Sequence, residues 1–312
     1  VCLKVRRPQP GCRGSGVKAG ISLGVLLMLV AACGGAKEPQ GSAIVVLASG
    51  EEGDALSELL DDFTDDTAVP VSIEWGSSAD NADRLIEKSG NPVDVLIVDN
   101  IADAWRVADS GAFRPVQSPA FANLHASLKD PDGYWAAIDV RTFVIAHRND
   151  PRPTTTGFDD LGTTEFLGRV CLSSSRLSSN RALIAFLIEE KGVKEAERLV
   201  RRWVKNLARP PFASAADMLD AMRAGDCDYG IASMTDDLGG LTPFSPPPHY
   251  FDATAVGVGR HAQQPESAHR LVDWLLRSRQ TAFPTQDSPP FAGTAGWRDQ
   301  EARLLAERAG YR

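Results

Sequence analysis

Asp139 and Arg141 are set into an otherwise apolar run, Trp135-Ala-Ala-Ile-Asp-Val-Arg-Thr-Phe-Val-Ile-Ala-His147. Charges inside a buried strand need a partner or a ligand, although an edge strand can keep them in water. Other groups able to hold a polar solute follow strand-like runs. Ser49-Gly50-Glu51-Glu52, Trp75-Gly76-Ser77-Ser78 and Asp99-Asn100 offer hydroxyls, carboxylates and helix N-termini. Ser173-Ser174-Ser175 precede a helix and could cradle an oxyanion or carboxylate, with ordinary capping as the equal reading; capping is likewise open for Ser78 and Asp54. Nucleophilic and metallohydrolase chemistry find no support. The chain has no His-Glu-x-x-His, no Gly-x-Ser-x-Gly and no phosphate-binding P-loop, and His249, His261 and His269 are not spaced as a zinc pair. The expectation is a non-enzyme.

These groups need a scaffold that brings distant loops together. Ile44–Ala48, Val69–Trp75 and Val93–Val98 read as strands, alternating with helical patterns around Leu56–Phe63, Ala82–Ile86 and Ile101–Ala108. Such a series builds a mostly parallel sheet covered by helices on both faces, with ligands outside the carboxyl ends of its strands. Beyond the charged run, the pattern repeats: a strand at Val170–Leu172, helices over Arg181–Lys191, Lys194–Leu207 and Ala213–Arg223, and a strand entering a cleft loop at Ser233. Pro243–Pro248 reads as a loop and Ala253–Val258 as a strand returning the chain to the first half. Helices over Glu266–Arg277 and Asp299–Ala309 follow, with an irregular segment over Thr281–Gly296. The run holding Asp139 and Arg141 is thus the crossing between two lobes.

The first residues read as a leader. Lys4, Arg6, Arg7, Arg13 and Lys18 precede the apolar run Ile21–Val30, too short to span a membrane, which ends in Ala31-Ala32-Cys33. Val30-Ala31-Ala32-Cys33 resembles the bacterial lipobox, which implies a signal peptide over 1–32, lipidation of Cys33 and a tether over 33–42. Removing the leader takes five of the 33 basic residues and none of the 41 acidic ones, leaving a net charge of −13. That surface repels nucleic acid and anionic lipid, so the membrane tie rests on the lipid alone. Of the remaining cysteines, Cys171 and Cys227 form an even pair, and export favours a disulfide over two buried thiols.

Several motifs in one order resemble a known family: Asn123-Leu124 through Lys129-Asp-Pro-Asp-Gly-Tyr-Trp135, the Arg141 strand, Gly168-Arg-Val-Cys171, Asn206-Leu-Ala-Arg209, Ala224-Gly-Asp-Cys-Asp228 and Glu301-Ala-Arg303 to Ala309-Gly-Tyr311. They are similar to the type II periplasmic solute-binding proteins of ABC importers, in the ferric-iron branch. The resemblance implies a two-lobe α/β fold, each lobe a mostly parallel sheet flanked by helices, with two crossover strands as hinge. Lobe 1 would take 43–140, lobe 2 141–249, and 250–312 the return to lobe 1 with the C-terminal helices. It also implies a monomer in the periplasm that hands its ligand to an inner-membrane ABC permease.

Iron-binding members carry a consecutive tyrosine pair after the Cys-Asp motif, and phenolates suit hard Fe(III). Here those positions fall at Thr235 and Asp236, and the family's first-strand ligand positions at Glu51 and Glu52. Two readings stand. In one, carboxylates of Glu51, Glu52 and Asp236, with Asp99 and Asp237, bind Fe(III), another hard cation or a cationic solute. In the other, a different small solute is held by Ser49, Ser77, Ser173 and Arg141, alongside Ser174, Ser175, Ser233 and Thr235. Arg141 matches a family arginine that holds an anion beside the metal, whereas that motif's second arginine is Phe143 here. No resident cofactor is expected, and Fe(III) would be cargo. A sensory or adaptor lipoprotein on the same fold is the alternative role, with a hydrolase the remote third.

Overall fold

The computed structural model describes residues 42–49, 53–149, 154–278 and 292–312. The leader, Cys33, all of the tether before Ser42, and Glu51 and Glu52 lie outside the described residues.

Lobe 1 opens with β1 (Ile44–Ser49), α1 (Gly53–Thr67), β2 (Val71–Gly76), α2 (Ser78–Glu87), β3 (Val95–Val98) and α3 (Ile101–Asp109). β1 lies between β2 and β3 and runs parallel to both. All four residues of β3 are buried, because helices cover both faces of this sheet and leave no solvated side for polar alternation. All three strands point the same way, so Ser49 and Asp99 emerge at one edge.

Next come the short β4 (Phe113–Arg114), α4 (Pro119–Asn123) and the long β5 (Trp135–His147). β5 is buried at both ends, Trp135–Ile138 and Phe143–Ala146, and half-buried over Asp139–Thr142. The half-buried stretch is where the strand passes from one lobe to the other, which is why a charged pair is tolerated there.

Lobe 2 contains β6 (Val170–Cys171), α5 (Ser178–Lys191), α6 (Val193–Lys205), α7 (Ala215–Ala224), β7 (Tyr229–Ser233) and β8 (Thr242–Phe244). β8 overlaps the start of the stretch expected to be a proline-rich loop, Pro243–Pro248; it pairs Thr242–Phe244 with the end of β5. The chain returns through β9 (Phe251–Gly259), followed by α8 (Pro265–Ser278), α9 (Gly293–Trp297) and α10 (Asp299–Ala309).

The strand order is β2-β1-β3-β9-β5-β7-β6. β5 pairs antiparallel with β9 over Trp135–Thr142, with an irregularity between Ala137 and Asp139, then with β7 over Phe143–His147. The two crossing strands therefore add antiparallel pairings to the parallel ones within each lobe. α10 packs on α5 and α6, and Tyr311 just beyond it donates its hydroxyl to the Ser173 carbonyl at 2.6 Å. Cys171 and Cys227 form a disulfide with Cα atoms 6.0 Å apart, beside Met218 and Met222 of α7.

Candidate functional site

Two adjoining cavities, of about 230 and 210 Å³, share Asp99, Arg141 and Asp236 in their walls. Together they form a cleft between the lobes. Lobe 1 supplies Ser49 at the end of β1, Asp99 after β3, and Asp139 and Thr254 of the crossing strands. Lobe 2 supplies Ser173, the first turn of α5, Ser214, and Ser233 to Asp236 after β7.

Arg141 sits at the centre and is fixed on three sides. Its Nη1 donates to Thr254 Oγ1 at 3.1 Å and its Nη2 to the Asp99 carbonyl. Its nearest counter-charge is Asp252 Oδ2, at 3.8 Å. Asp252 Oδ1 accepts from the Ile101 and Ala253 amides, whereas Oδ2 has no hydrogen-bond partner. Burial raises the Asp252 pKa, opposed in part by Arg141 and the two amides.

Asp236 reaches the cleft from lobe 2. Its Oδ2 accepts from the Ser233 amide at 2.7 Å, and the Ser233 and Thr235 hydroxyls are 3.0 Å apart. Burial also raises its pKa, against the lowering effects of that amide and of Arg141. Asp237 turns away: its carboxylate accepts from Gly239 and its carbonyl from Arg223.

The expected three-serine cradle is corrected. Only Ser173 lines the cleft, and its Oγ accepts from Asn180 Nδ2 at 2.9 Å. Ser174 Oγ accepts from the Arg176 amide, and Ser175 is buried, donating to the Tyr311 carbonyl at 2.8 Å. The tail that follows α10 uses the serines as packing contacts. Ser77 is likewise a cap, accepting from the Asp80 amide, and lines neither cavity.

α5 begins at Ser178, three residues earlier than its apolar periodicity suggests, so Ser178, Ser179 and Asn180 form its first turn at the cleft wall. No side chain caps this 14-residue helix. Its first amides and the positive end of its dipole are available to an anion. The signal for these missed residues was a second run of cap-forming types, Ser178-Ser-Asn180.

The tentative metal set is split: Asp236 is in the cleft, while Glu51 and Glu52 lie outside the described residues. Among the described residues, no three His, Cys, Asp or Glu side chains are grouped to hold a metal. The cleft thus joins three carboxylates, Asp99, Asp139 and Asp236, with a guanidinium, several hydroxyls and a helix N-terminus, a set suited to a small polar solute carrying both charge signs.

A polar cleft between two α/β lobes crossed by paired strands defines a hinged binding protein. The chain belongs to the bacterial extracellular solute-binding protein family, whose profile matches residues 44–283. It is 26% identical over 264 residues to iron uptake protein A1 of Synechocystis, covering 77% of this chain and 73% of that protein. It is 22% identical to the Fe(3+)-binding periplasmic protein of Serratia marcescens, covering 63% of this chain and 59% of that protein. Among solved structures, Trichodesmium IdiA (FutA) in complex with iron and citrate superposes with a TM-score of 0.78 at 22% identity, over 86% of this chain and all of the other. The ferric binding protein from Campylobacter jejuni gives 0.76 at 18% identity, over 86% of this chain and all of the other. The fold is thus the two-lobe architecture of these structures, and the family is one of extracellular solute-binding proteins.

Proposed function

We propose that this protein is a lipid-anchored, monomeric solute-binding component of an ABC importer that carries Fe(III) together with an oxygen-donor anion to an inner-membrane permease. The observation that carries the reading is the meeting of Asp236, Asp99 and Arg141 in one cleft beside the uncapped start of α5. Carboxylate oxygens suit a hard cation, and the guanidinium and helix amides suit its anion. By the resemblance, Thr235 and Asp236 fall at the positions of the tyrosine pair of iron-binding members, so the cation would trade phenolates for carboxylate and chelator oxygens. The names of the relatives, which include iron uptake and Fe(3+) binding, support the same cargo.

Thermal melts with ferric citrate, citrate alone and other di- and trivalent cations test this. A ligand at a hundred times its Kd adds about 2.7 kcal/mol of stability. Ferric citrate should stabilise the protein and Asp236→Ala should lose that effect. Equal stabilisation by citrate alone would make the anion the cargo. For the anchor, labelled palmitate should enter the wild-type chain and not Cys33→Ser.

A further inference from the structure

A cavity of about 660 Å³ lies at the other end of lobe 1, lined by Arg114, Arg260, His269, Gln117, Tyr134 and Glu266 among others. Tyr134, just before β5, lies seven residues from Arg141, so the cavity stands about 23 Å along the extended chain from the cleft centre. Its cations are held by backbone carbonyls rather than carboxylates. Arg114 Nη2 donates to the Arg260 carbonyl at 2.9 Å, and Arg260 Nη1 to the Gly111 carbonyl at 3.1 Å. Arg114 Nε is shielded from solvent without a hydrogen-bond partner. His269 Nδ1 accepts from the Gln117 amide at 3.2 Å, which leaves the other ring nitrogen carrying the proton. Glu266 is the one acid in this wall. Two guanidinium groups without a carboxylate partner among the described residues are unusual in so acidic a chain, and they concentrate positive potential in one concave place.

The position of the cavity names its partner. Gln264, next to the wall residue Pro265, donates through Nε2 to the carbonyls of Ser42 and Ala43, where the described chain begins. Asp94 joins the same edge, accepting from the amides of Val45 and Gln264 at 2.9 Å each. Ser42 is nine residues from Cys33, so on the anchor reading above a lipid on Cys33 would keep this end of lobe 1 within about 30 Å of the bilayer. We propose that the Arg114–Arg260–His269 cavity is an oxyanion site that takes the phosphate of an anionic lipid headgroup at the membrane surface. The lipid assignment rests on the anchor reading above; the oxyanion chemistry does not.

The test follows the His269 ring by NMR in the full chain, its resonance assigned by its loss in His269→Gln. The probes are inorganic phosphate, dihexanoyl phosphatidylglycerol and dihexanoyl phosphatidylcholine. Phosphate should shift the ring, phosphatidylglycerol should bind at least ten-fold more tightly than phosphate, and phosphatidylcholine should bind weakly. Arg260→Gln, an exposed side chain, should weaken phosphatidylglycerol at least ten-fold, while Glu266→Gln should tighten it several-fold. Both variants should keep the wild-type melting response to ferric citrate, which separates failure here from failure of the cleft. Binding of phosphate without phosphatidylglycerol would overturn the lipid assignment. Equal binding of both lipids, or no shift with any probe, would overturn the site.

Discussion

Arg141 and Asp252 stand directly opposite one another across the β5–β9 pair, 3.8 Å apart between Nη2 and Oδ2. The gap is too long for a hydrogen bond, so the aspartate acts on the arginine through charge rather than through a shared proton. The arginine's donors are instead taken by Thr254 and the Asp99 carbonyl, which aim the guanidinium into the cleft.

Burial holds the Asp252 pKa above its ordinary value, so at pH between its unfolded and folded values the folded chain keeps a proton that the unfolded chain has released. Stability from this group is therefore present at low pH and is lost as pH rises through the folded-state pKa. Asp252→Asn, which cannot ionise, should gain on the wild type as pH is raised from about 4 to about 8. Urea denaturation across that range measures the difference. A constant offset would show that ionisation of Asp252 costs the fold nothing.

Asp236 behaves oppositely when a cation is offered, because only its ionised form binds. Ferric citrate affinity should weaken as pH falls, and the loss should begin above the ordinary aspartate value of 3.8 because burial raises this group. Asp236→Asn should bind at least ten-fold more weakly, about 1.4 kcal/mol, and lose most of that pH dependence. An unchanged profile in the variant would place the cation elsewhere.

Asn180 ties the start of α5 to the strand end before it, its side-chain amide donating to Ser173 Oγ, the Ser173 carbonyl and the Ser174 carbonyl at 2.9, 3.1 and 2.9 Å. Asn180→Ala leaves the buried Ser173 Oγ without its donor, while the Ser173 and Ser174 carbonyls keep Tyr311 and the Leu177 amide, and should cost about 1–3 kcal/mol. It should also weaken binding of citrate-bearing ligands, since the α5 amides lose their alignment with the cleft. Isothermal titration beside a denaturation curve would separate the two effects.

The Cys171–Cys227 bridge spans 56 residues. Its reduction, or Cys227→Ser, should cost about 4 kcal/mol in the chain-entropy model. The non-reduced, unfolded mature protein should titrate no free thiol from this pair, and a count of two would refute the bridge in solution.

The crossing strand was legible because two charges interrupt an apolar run, and only a strand leaving one sheet for another gives them a half-buried place. Thr235 and Asp236 were legible from the family's motif order, and both line the cleft. Asp252 was not, since an acid before an apolar strand looks like a turn residue, and its partner lies more than a hundred positions away in the chain. The serine run misled for a related reason. Tyr311, at the far end of the chain, bonds both Ser173 and Ser175, and of the two only Ser173 also borders the cleft.

The disulfide also joins the two segments that lead into the lobe 2 side of the cleft. Cys171 lies two residues before Ser173, and Cys227 opens the approach to β7 and the Ser233–Asp236 loop. Thiols stay reduced in the cytosol, so the bridge closes only after the chain has crossed the membrane. The two segments that lead into the lobe 2 wall of the cleft are therefore tied together only where thiols can oxidise.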